Sequence, residues 1–193
     1  MGQYYRAIIL EDNPPDPDHS EKVRFYMVSY AYGCGAKLME HSYIGNQFVE
    51  SFESLLIPEG PAHMSRVVWA GDYAEERDCD TNLYHLAGKT KIHLSSPSTT
   101  STTSTTSTST IRQYPYIVNH DKKSYVDKRK QRADRYGYIV HPLPLLTAEG
   151  NGLGGGDYDG PDIDMVGIWA RDVISVEKVV PDGYTELEVR FET

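Results

Sequence analysis

An α+β domain, with a mainly antiparallel, twisted sheet and one principal amphipathic helix packed on it, is predicted by three features of this sequence. Several short segments are rich in β-branched and aromatic residues, notably 4–10, 23–30 and 66–70. A single segment, 46–57, carries clear helical periodicity. The regular alternation of strands and helices that a parallel sheet needs is missing. At 193 residues the chain is long enough to bury a sizeable core, and a single globular domain over 1–193 is expected.

Taken in order, Tyr4 to Leu10 reads as a first strand and Val23 to Tyr30 as a second. Between them EDNPPDPDHSE places three prolines and four carboxylates before His19, the composition of a solvated surface loop. The helix over 46–57 takes Asn46 as its N-cap, sets Phe48, Val49, Phe52, Leu55 and Leu56 on one face, and is ended by Pro58. Arg66 to Ala70 is a buried strand running into the polar turn GDYAEERD. Residues 95–110 are fifteen Ser or Thr and one Pro, which cannot bury enough apolar area to offset ordering them, so a disordered insertion is expected there. YPYIV and SYV flank NHDKK as a hairpin. GYIVHPLPLL, interrupted by Pro142 and Pro144, reads as an edge strand or extended segment. MVGIWA, DVISVE and YTELEVRFE complete the strands, the last with Leu187, Val189 and Phe191 on one face.

Composition narrows the function classes. No apolar run is long enough to span a bilayer, and the N-terminus lacks the pattern of a secretory leader, so the cytoplasm is expected. Cys34 and Cys79 form neither a CxxC pair nor a disulfide framework. A net charge of -9 argues against a nucleic-acid-coating role. The sign reverses only over 122–135, where seven basic residues face Asp127 and Asp134. A solvated face offsetting acidic neighbours is the favoured reading of that stretch, and an anion-binding patch the alternative.

The most informative segment is 150–160, GNGLGGGDYDG, in which six of eleven residues are glycine. Glycine is entropically costly, so such a cluster marks a loop needing positive φ or close backbone approach. Gly150, Gly152 and Gly155 satisfy GxGxxG, but DYDGPD follows where a dinucleotide fingerprint needs a helix. Successive loop amides could instead form an anion-binding concavity. Candidate ligand-binding residues are therefore Tyr73, Asn151, Gly152, Gly154, Gly155, Gly156 and Asp157, facing a small anionic ligand or a protein partner. Asp157, Asp159, Asp162 and Asp164 alternate but fit no EF-hand, so no metal is assigned, and no cofactor is indicated.

Seven histidines are scattered without an HExxH motif. His41, His120 and His141 each lie beside an apolar segment, and with Asp72 they are the candidates for general acid and base work if they converge. Cys34 between two glycines and Ser42 beside His41 are weaker nucleophile candidates. Fifteen tyrosines suit strands and half-buried edges as well as contact surfaces. Two function classes follow: a binding domain that uses the loop 150–160, or a hydrolase acting on a nucleotide or another phosphorylated compound.

The blocks GQYYRAIIL, KLMEHSYIGNQFV, WAGDYA, NLYHLA, YIVNHDKKSYVD, HPLPLLTAEGNGLGGGDY and VGIWARDVISVE resemble a family of bacterial and phage-associated proteins that open with MGQYY. The resemblance covers nearly all of the chain outside the Ser/Thr tract, which departs from the family's pattern. It implies no particular activity, cofactor or catalytic residue.

Overall fold

The structure, a computed structural model, describes residues 2–12, 21–76, 81–89 and 113–192. The Ser/Thr tract at 95–110 and most of the acidic link before Glu21 lie outside the described residues.

The chain folds as an α+β protein around an eight-stranded, mostly antiparallel sheet. Its first strand, β1 (Tyr5–Leu10), pairs antiparallel with β2 (Val23–Val28) on one side and β3 (Ser65–Gly71) on the other. The far edge of β3 is shared. Its start pairs with β7 (Val173–Glu177), and its end pairs in parallel with the two-residue β6 (Ala148–Glu149). Beyond β7 lie β4 (Tyr116–Asn119), β5 (Ser124–Asp127) and the short β8 (Thr185–Glu186). The expected hairpin over NHDKK is β4–β5, with Ile117 opposite Val126.

This topology decides where the glycine loop emerges. The start of β1, the end of β3 and the end of β6 all lie at one end of the sheet, because β1 runs against β3 while β6 runs with it. The loop therefore leaves β6 directly beside the N-terminal residues.

Strand alternation sends Tyr5, Ala7 and Ile9 into one core, and Ile8 and Leu10 into a second, smaller cluster on the opposite face. The larger core is covered by α2 (Gln47–Leu56), whose Phe48, Val49, Phe52 and Leu56 are buried. Asn46 caps this helix through Oδ1, which accepts from the amides of Phe48 and Val49 at 3.0 and 3.4 Å. Phe52 and Phe48 meet Trp69 of β3 edge-on, with ring centroids 4.8 and 5.6 Å apart. Each such aromatic burial contributes on the order of 2–3 kcal/mol. The second cluster is covered by α3 (Leu83–Lys89) through Leu83 and Ala87.

Three expectations need correction. The segment with Pro142 and Pro144 is no edge strand but a short helix, α4 (Pro142–Leu146), capped by His141. Both prolines sit in its first turn, where amide hydrogens have no helical acceptor in any case. MVGIWA is not a strand: Gly167 and Trp169 donate to the carbonyls of Leu145 and Leu146 at the end of α4, which curls the segment into consecutive turns. The last strand is confined to β8, although Val189 and Phe191 are buried as the alternation predicted.

The basic stretch 122–135 also differs from a purely solvated face. Lys128 is fully buried, with Nζ 2.7 Å from Glu53 Oε1 of α2. Arg129 pairs with Asp127, Lys130 with Glu186 and Lys122 with Asp172. Carboxylates thus occupy most of the cations that an anion patch would need.

Candidate functional site

Gln3 organises the site. Alternation along the first strand puts it on the face of Tyr5 and Ala7, and it is fully buried at the sheet end where the loop 150–160 emerges. Its side-chain nitrogen, with two hydrogens to donate, faces Asp157 Oδ2 at 3.0 Å, the Tyr5 hydroxyl at 3.0 Å and Asn151 Oδ1 at 3.2 Å, and its oxygen accepts from the amide of Tyr73 at 3.1 Å. Tyr5 in turn donates its hydroxyl to Asp157 Oδ1 at 2.9 Å. Asp157 Oδ2 also accepts from the Gly154 amide at 2.9 Å, and the Asp157 amide returns to the Gly154 carbonyl at 2.9 Å.

The loop is therefore closed on itself by Asp157 and clasped to the first strand by Gln3 and Tyr5. Its far end is fixed to α1 (Leu38–His41), whose Met39 amide donates to the Gly156 carbonyl at 2.9 Å. These approaches explain the glycines. A Cβ at Gly154 would overlap Gln3 Cβ and stand 2.8 Å from the Gln3 backbone nitrogen, and Gly156 has φ +96°.

Burial pushes the Tyr5 phenol well above its ordinary value, reinforced by the Asp157 carboxylate. Burial likewise raises Asp157, with Asp72 adding to the shift and the Tyr5 and Gly154 hydrogen bonds opposing it. One amide of the concavity expected to receive an anion, that of Gly154, is thus taken by the chain's own carboxylate. Among the described residues the amides of Gly152 and Gly155 enter no hydrogen bond. Beside the loop lies a hollow of about 250 Å³, lined chiefly by Tyr5, Leu38, Asn151, Asp157, Ile163 and Val166. At the tip, Leu153 is 86 % exposed, and Tyr73 and Tyr4 are exposed near the clasp.

The predicted residues divide into two groups. Tyr73, Asn151, Gly152, Gly154, Gly155, Gly156 and Asp157 meet at the sheet end, with Asp72 next to them accepting from the Tyr4 amide at 2.9 Å. The three histidines do not join them. His41 is buried, its Nδ1 donating to the Gly35 carbonyl at 3.0 Å and its Nε2 accepting from Trp69 Nε1 at 2.9 Å, and burial pushes it down to about 4. It is a neutral packing residue with both nitrogens committed. His141 is buried as the α4 cap, its Nδ1 accepting from the Leu143 amide at 3.2 Å. Its Nε2 lies 3.2 Å from Glu53 Oε1, beside the Lys128 pair. His120 lies on the β4–β7 side of the sheet, 2.8 Å from Ser175 Oγ and 3.0 Å from the Tyr184 hydroxyl.

The weaker nucleophile candidates are committed too. Ser42 is buried and donates to the Leu38 carbonyl at 2.6 Å, and Cys34 sits against Asn46. Among the described residues no three His, Cys, Asp or Glu side chains are arranged to hold a metal ion, and no helix is long and apolar enough to cross a membrane.

One residue central to this site, Gln3, and one central to the core, Lys128, are not singled out by the sequence. Gln3 was legible in principle, since it alternates with Tyr5, Ala7 and Ile9. Lys128 follows the inward-facing Val126 by two positions, but its charged neighbours hide that signal. Compared with protein-family models, with curated proteins and with solved structures, the chain matches none.

Proposed function

We propose that this protein is a binding domain and that the glycine-rich loop 150–160 is its contact surface. One observation carries the proposal: the loop is held at its base by hydrogen bonds to the buried Gln3 and half-buried Asp157 while its tip presents an exposed leucine. A clasped loop that holds Leu153 out in water presents a pre-ordered apolar contact to whatever meets it. A loop fixed in advance also loses less conformational entropy on association. The hydrolase reading lacks comparable support, because His41 and His141 are committed inside the core and His120 is bonded to Ser175 and Tyr184 elsewhere on the sheet.

Affinity capture from a soluble extract, with wild type and Leu153→Asp compared at matched thermal stability, tests the proposal. Components retained by wild type and lost with the variant are expected. Identical retention by both proteins would overturn it.

A further inference from the structure

The loop's surroundings specify the chemistry of a partner. Resting on the binding role proposed above, we infer that the loop and its hollow receive a basic segment of a partner protein, anchored by an apolar side chain. The apolar element comes first. Ile163, 50 % exposed, lines the hollow together with Leu38, Ala148 and Val166, and Leu153, 86 % exposed, directly follows the lining residue Gly152 in the chain. The hollow's volume of about 250 Å³ falls below the roughly 300–1,000 Å³ of small-molecule sites, which suits an inserted side chain better than a nucleotide.

Charge identifies what carries that side chain. Between Glu149 and Asp164 there are five carboxylates and no Lys or Arg. Asp159, Asp162 and Asp164 are exposed and enter no ion pair among the described residues, and Asp162 Oδ2 accepts from the Arg190 amide at 2.6 Å, so three carboxylates face solvent with their charge unpaired. Asp162 and Asp164 flank the exposed Ile163. Lys37, whose side chain lies along Gly156, is paired with Glu40 at 3.4 Å. An acidic partner, a nucleic acid or an anionic membrane would be repelled here, whereas a segment with Lys or Arg next to Leu, Ile or Phe meets both the apolar and the charged features.

A random peptide display library selected in parallel against wild type, Leu153→Asp, and the triple variant Asp159→Asn, Asp162→Asn, Asp164→Asn tests this inference. Asparagine keeps the Asp162 side-chain acceptor and tolerates its φ of +55°. The expected result is a wild-type set enriched in Lys or Arg beside an apolar residue. Those peptides should lose affinity at least about tenfold on the triple variant and again on raising salt. Peptides that depend on Leu153 but are neutral or acidic, and bind the triple variant equally, would overturn this inference and leave the loop's binding role standing. Absence of any peptide sensitive to Leu153→Asp would overturn both.

Discussion

Gln3 illustrates how much one buried amide can organise. Its donors and acceptor serve Asp157, Asn151, Tyr5 and Tyr73, joining the first strand, the turn after β3 and the glycine loop. Gln3→Ala would leave several of these groups inside the protein without a partner, a loss of roughly 1–3 kcal/mol, visible as a lower urea midpoint. Tyr4→Ala, one position along and exposed, should change stability by no more than about 0.5 kcal/mol and leave that midpoint nearly unmoved. Lys128 gives the sharper contrast. Lys128→Met leaves Glu53 buried with only His141 Nε2 beside it, a loss of about 3 kcal/mol, and adding Glu53→Leu should recover most of it. If the double variant is no better than the single in denaturant titrations, the ion pair is more than a compensated burial. At this scale the sequence was least legible, because the roles of Gln3 and Lys128 are fixed by residues 154 and 75 positions away in the chain.

Elements were read better where their determinants are local. The helix over 46–57 announced itself through Asn46, the apolar spacing and Pro58, and appears as α2 over Gln47–Leu56. Asn46→Ala should lower stability by about 1 kcal/mol through loss of the cap. The segment PLPLL misled because proline was weighed against a strand interior and not against a helix's first turn, where it is welcome. MVGIWA is strand-like in composition, but its amides are claimed by the end of α4, a tertiary fact. The loop's glycines were legible as a site and their contacts were not. Gly154→Val should unclasp the loop without disturbing the sheet. In nitrogen–proton correlation spectra, shifts should be confined to 150–158, Gln3 and the vicinity of Tyr73. Shifts spreading through β4 and β5 would show that the loop is part of the fold's core.

For the molecule as a whole, two buried groups set the acid side of its stability. His41 is held near 4 against an ordinary 6.5, so the unfolded chain binds its proton first as pH falls and stability drops across that interval. That contribution is on the order of 3 kcal/mol. Glu53, buried but stabilised by Lys128 and His141, is held near 2 against 4.5. Its contribution is complete above pH 4.5 and is lost as pH falls toward 2. Stability should therefore rise with pH from about 2 to 6.5. His41→Gln should flatten the upper part of that rise, and an unchanged profile would show that His41 is not held neutral. The α+β architecture was legible at this scale, because it follows from the count and periodicity of segments and not from particular partners.

A binding role for the loop requires order at its base and an available tip. Amide hydrogen exchange measures this most directly. The account predicts that the amides of Gly154 and Asp157, and the Met39 amide that holds Gly156, exchange slowly in wild type and speed up markedly in Gln3→Ala, while Gly152 and Gly155 exchange fast in both. Exchange of Gly154 and Asp157 at the rate of unstructured peptide in the wild-type protein would contradict it.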